Sequence, residues 1–186
     1  MKHLSIAACI LCALVACNTA TNSSATTDTS AATITSDINQ NVTYAYPIEY
    51  SSDFTIGNPK YAQTVLELWK DYDNNTFDNH ADAFSDSVVL DLAGGTTVRG
   101  KDSAIAGAKR YRSSLKSSVS SIEVVTTLKP KGKDETWVCV WGKAVDTHKD
   151  GKMDSVYLNE NWMFDKNDKV AYMSQYQATP PKPMKK

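Results

Sequence analysis

One acidic residue stands in an apolar stripe. In the run Ser155–Phe164, residues Val156, Leu158, Glu160, Trp162 and Phe164 share one face at the period of an extended chain, while Tyr157, Asn159 and Asn161 point the other way. A carboxyl set among apolar neighbours is poorly hydrated, which raises its pKa and suits it to general acid or base catalysis. The blander chemistry is a glutamate at a sheet surface between two subunits, bonded to a tyrosine, a tryptophan N–H or a lysine. That second reading is taken first, and Glu160 as a catalytic residue is the alternative. His80 and His148 fall in polar segments and read as solvated. Asp146–Asp154 superficially suggests a calcium loop, but His148 at its third position and Tyr157 at its twelfth do not supply hard oxygen ligands. Cys139, inside Trp137-Val138-Cys139-Val140-Trp141, reads as inert core packing, since apolar surroundings raise a thiol pKa. With no glycine-rich phosphate loop, no Gly-x-Ser-x-Gly and no Cys/His metal spacing, neither a cofactor nor a metal is expected.

The aromatic residues give the other chemical hint. Trp69, Tyr72, Tyr111, Trp141, Trp162 and Tyr172, with Gln175 as a polar tip, could line a pocket for a small planar or apolar molecule. In the catalytic alternative a tyrosine such as Tyr72 or Tyr111 would partner Glu160. The formal charge of −1 argues against a nucleic-acid partner.

These residues need elements to hold them. Asn58-Pro59 reads as an N-cap with proline at the first helical position, and Tyr61, Val65, Leu68 and Tyr72 keep the helical period. A short second helix is predicted over Phe77–Phe84, a strand over Ser87–Leu92, and a second short strand ending at Arg99. Gly100-Lys101-Asp102 offers a stop and a cap before a third helix running to about Ser117. Four strands follow near Val119–Leu128, Thr136–Val145, Ser155–Phe164 and Val170–Gln177. Short polar turns between them predict an antiparallel meander.

The ends of the chain read differently. Lys2 and His3, an apolar run from Leu4 to Ala16 and then Leu14-Val15-Ala16-Cys17 resemble a bacterial lipoprotein signal, and that run is shorter than the ~20 residues a spanning helix needs. This resemblance implies cleavage after residue 16 and acylation of Cys17. Attachment to the lipid bilayer of the cell envelope follows, with Asn18 pointing to the outer membrane facing the periplasm. Loss of Lys2 with residues 1–16 takes the formal charge from −1 to −2. Of the four cysteines, Cys9 and Cys12 leave with the signal, so Cys139 has no disulfide partner. Residues 17–52 read as a tether and N-terminal segment, rich at first in Ser, Thr, Ala and Asn; 53–178 as the folded domain; and 179–186 as a Pro-rich basic tail.

The order helix, helix, two short strands, helix and four long strands resembles the cone-shaped NTF2-like fold in its SnoaL-like branch. Leu66-Glu67-Leu68-Trp69, Phe84-Ser85-Asp86-Ser87-Val88-Val89, Arg99-Gly100-Lys101-Asp102-Ser103-Ala104-Ile105 and Glu160-Asn161-Trp162-Met163-Phe164 carry the likeness. It implies an α+β domain whose three helices, all in the N-terminal half, pack on a curved, mostly antiparallel sheet. A pocket at the open end and a homodimer formed through the sheet are implied with it. No single chemistry is implied. Steroid isomerases of this fold carry a base aspartate where this chain has Leu92, with Asp91 one residue off and facing away. The Asp-Arg-Asp set of limonene-epoxide hydrolases has no match. The function expected is a membrane-tethered periplasmic domain that binds a small apolar ligand or serves as an accessory protein without catalysis. The alternatives are a cofactor-free isomerase, hydratase or cyclase, and a structural dimerisation module whose cone is filled by its own side chains.

Overall fold

Asn58 ends the approach to the first helix, α1 (Pro59–Asn74), by accepting a hydrogen bond from the Lys60 N–H at 3.0 Å, as an N-cap should. At the other end Asn75, in the left-handed region at φ 59°, turns its N–H back to the carbonyls of Asp71 and Tyr72. These contacts belong to a computed structural model that describes residues 43–181, and the fold is that of the unit beginning at Tyr44. Cys17, the signal segment, most of the tether and residues 182–186 lie outside the described residues.

Among the described residues, three helices pack on one sheet of seven strands. The strands are β1 (Phe54–Ile56), β2 (Phe84–Leu92), β3 (Thr96–Arg99), β4 (Leu115–Pro130), β5 (Thr136–His148), β6 (Met153–Phe164) and β7 (Val170–Ala178), in the spatial order β1-β4-β5-β6-β7-β2-β3. Neighbours are antiparallel except β2 and β7, which run parallel. The second helix is a 3₁₀ segment, α2 (Phe77–Ala83), kinked at His80, and the third is α3 (Lys101–Ser114). The domain is therefore α+β with the NTF2-like element order.

Three local readings change. The edge strand β1 was not expected, because its Phe-Thr-Ile alternation is only three residues long, too short to mark a strand. Gly100, at φ 85°, caps α3 and leaves Asp102 in the first turn. That helix stops at Ser114 because Leu115 is already extended and pairs with His148, and Ser118 is turned inward to donate to Asp146 at 2.6 Å.

The core lies between the helices and one face of the sheet. Val65, Leu68 and Trp69 of α1 meet Val88 and Leu90 of β2, Val138 and Val140 of β5, Trp162 and Phe164 of β6, and Val170 and Met173 of β7. Strand alternation then puts Trp137, Cys139 and Trp141 of β5, Tyr157, Asn159 and Asn161 of β6, and Tyr172, Ser174 and Tyr176 of β7 on the opposite, helix-free face.

Candidate functional site

Glu160 sits on the helix side of β6 at 5% exposure. Its Oε2 accepts from the indole N–H of Trp69 at 2.7 Å and from that of Trp162 at 3.0 Å, and its Oε1 accepts from the Gln175 side-chain amide at 2.8 Å. Each donor arrives for a structural reason. Trp162 is two residues along the same strand, Gln175 stands directly opposite on β7, and Trp69 descends from α1. Indole N–H groups can only donate, so the acceptor they need is the carboxylate. Desolvation nevertheless pushes the Glu160 pKa up, opposed by those three hydrogen bonds.

The reading of Glu160 at a subunit interface is corrected, because its face of the sheet is the one covered by α1. The partner expected there, a tryptophan N–H, is present twice. The Trp69 ring lies directly against the sheet at Gly142. A Cβ built on Gly142 of β5 would come within 3.1 Å of the Trp69 ring and 2.7 Å of the Ser121 carbonyl oxygen, so only glycine lets the indole lie this close.

Tyr72 and Tyr111, the proposed phenol partners, do not join Glu160. Both gather near Asp146, six residues along β5 from Val140, the residue paired with Glu160; that is roughly 20 Å of extended chain. Burial pushes the Tyr72 phenol well up, with Asp146 adding to it, and Tyr72 packs edge-on to Phe77 at 5.7 Å. Tyr111 is exposed. Below them the buried Arg112 donates to the carbonyls of Tyr72 and Asp73 at the end of α1.

The remaining aromatic candidates divide between the two faces. Trp69 and Trp162 are inside, with Gln175 beside them. Trp141 and Tyr172 are outside: Trp141 is 45% exposed, and Tyr172 packs edge-on to Trp137 at 6.1 Å while donating to Asp91 at 2.9 Å. Asp91 is held below the usual carboxylate range by hydrogen bonds from Thr97 and Tyr172. Cys139 is not core packing as expected: it stands on the helix-free face, half-buried, and burial pushes its thiol pKa up.

Two arrangements escaped the sequence. His80 is not simply solvated: its Nδ1 lies 2.7 Å from the buried Asp71 carboxylate and its Nε2 3.6 Å from Glu67. Asp71 also accepts from the Thr76 hydroxyl at 2.9 Å, tying the end of α1 to α2. The second arrangement is a groove of about 300 Å³ on the helix-free face. Trp141, Tyr157 and Tyr176 wall it, with Asn159, Glu123 and Ala178 alongside. Register could have found it, because Trp141, Asn159 and Tyr176 are directly opposed on β5, β6 and β7. A second concavity, of about 260 Å³, is polar, with Asp86 and Lys101 paired at 2.6 Å on its wall. Among the described residues no group of His, Cys, Asp or Glu is placed to hold a metal ion, and no helix is long and apolar enough to cross a membrane.

This architecture is that of NTF2-like proteins. The chain is similar in structure to a candidate scytalone dehydratase from Novosphingobium aromaticivorans (TM-score 0.56, 11% identity, 63% of this chain and 81% of that one). It is also similar to an LEH-like epoxide hydrolase of M. tuberculosis (0.52, 12%, 64% and 83%). An NTF2-like protein from Anabaena variabilis is a third such neighbour (0.53, 16%, 65% and 89%). No protein-family model matches the sequence, and no curated protein matches it. At these identities the likeness carries the fold, and that fold serves enzymes and other proteins alike.

Proposed function

We propose that this is a non-catalytic accessory domain, tethered to the envelope membrane through an acylated Cys17, that binds an apolar or aromatic group on the helix-free face of its sheet. The observation that carries this reading is the state of Glu160. The carboxylate best placed for chemistry is 5% exposed, has all its nearby donors engaged and lies under the Trp69 ring, which leaves a substrate no approach to it. By contrast the outer groove offers three aromatic walls with an amide and a carboxylate beside them, the composition of a small-ligand site. Titration with the apolar fluorophore anilinonaphthalene sulfonate tests it. Trp141→Ala should abolish probe binding and Glu160→Gln should leave it intact; the reverse pattern would return the ligand to the interior and revive the isomerase, hydratase or cyclase alternative.

A homodimer through the same face is the second reading. It is favoured by Val119, Val124, Trp141, Tyr157 and Tyr176, all exposed there. In the segment before β1, Tyr50 reaches the face by packing edge-on to Trp137 at 5.9 Å, while Trp141, Tyr157 and Tyr176 stay exposed.

A further inference from the structure

We infer that the outer groove docks the chain's own Pro-rich tail, residues 179–186, lying across the strands as a polyproline II segment. The inference rests on reading that groove as the binding surface. Its walls fit this occupant. Trp and Tyr side chains set side by side form the slots into which prolines of such a helix pack, and the segment costs little entropy to order because proline already restricts it. The tail reads Thr179-Pro180-Pro181-Lys182-Pro183-Met184-Lys185-Lys186.

Position and reach agree. β7 ends at Ala178, which is itself a wall of the groove and pairs in register with Tyr157. Pro180, beyond the last strand, is partly buried, between the exposed Thr179 and Pro181. From β7 to Glu123 on β4 is three strand spacings, about 14 Å at ~4.8 Å each. Residues 179–186 in polyproline II span about 25 Å, enough to cross with a turn to spare.

Charge fixes the order along the groove. Glu123 stands at the far end and would meet a lysine of the tail. Lys143 stands opposite Tyr157 in register and repels a lysine there, so the prolines cross first and the lysines reach Glu123.

The test compares the chain from residue 17 with the same chain ending at Ala178, which keeps every strand. Acrylamide quenching is measured in each with and without Trp141→Phe, which isolates the Trp141 signal. Removing the tail should raise the Trp141 quenching constant about twofold, and a synthetic Thr179–Lys186 peptide should restore shielding. Glu123→Lys or replacement of Pro180, Pro181 and Pro183 by alanine in the full chain should mimic the truncation. Equal quenching in both chains would overturn the inference, as would a truncated chain that stays shielded and scatters light as a dimer, because a second copy would then be the cover. If quenching is equal while the truncated chain still binds the apolar probe through Trp141, the tail is ruled out and the groove reading stands. If the truncated chain binds no probe, the groove reading fails as well.

Discussion

Asn159 and Glu160 are adjacent in β6 and face opposite sides of one sheet. Glu160 meets two indole N–H groups and an amide and is sealed under α1, whereas Asn159 lies open between Trp141 and Tyr176. Inside, a polar group is tolerated because every partner is supplied, and the cost of leaving any of them unmade is high. Outside, aromatic surface is left wet with no partner in the chain's folded core. The difference separates two meanings of a conspicuous residue. The inner one fixes how α1 sits on the sheet, and the outer ones are available to bind.

That contrast can be broken in order of effect. Glu160→Leu should be the most damaging change, because it strands the Trp69 and Trp162 N–H groups in the core; a loss of about 2–6 kcal/mol is expected in urea unfolding, from ~1–3 kcal/mol for each of the two unsatisfied buried donors. A loss below 1 kcal/mol would mean the cluster is not structural. Glu160→Gln should be much milder, since Gln175 can turn its carbonyl toward the new amide while the glutamine oxygen keeps both indoles.

Its signature is a change in pH dependence. A carboxyl whose pKa is raised on folding binds its proton more tightly in the native state. Wild-type stability therefore carries a contribution that is fully present below the ordinary value of 4.5 and is lost as pH rises through the raised value. The difference between wild type and Glu160→Gln should fall across that window, and a flat difference would contradict the raised pKa. Trp141→Ala should change stability least, within about 0.5 kcal/mol, because its ring is already half in water. A larger loss in the chain ending at Ala178, measured in dilute protein, would show that the domain itself buries the outer face.

Much of this was legible in the chain. Asn58-Pro59 marked α1, polar turns marked the meander, and the period of two isolated Glu160 on its stripe. What alternation cannot give is the side of the sheet that the helices choose. In Trp137-Val138-Cys139-Val140-Trp141 both faces are apolar, so the pattern has no polarity and spacing alone groups Trp141 with Trp162, although β5 register sets them on opposite sides. The Asp71–His80 contact needed the kink in α2, and the groove needed the register of β5, β6 and β7. Neither is written in local spacing.

The parallel pairing of β2 with β7 has a temporal consequence. The last described strand fills an inner place in the sheet, and Leu90 of β2, paired on one side with Val98 of β3, finds its other sheet partner, Met173, only there. Until β7 has been synthesised, the β2–β3 hairpin has no edge to join and half the core has no far wall. Such long-range pairing predicts slow folding whose sheet is completed only once β7 is in place. For the export that the Cys17 reading proposes, a sheet that needs its final strand for closure would leave the chain threadable through a narrow pore until that strand is made.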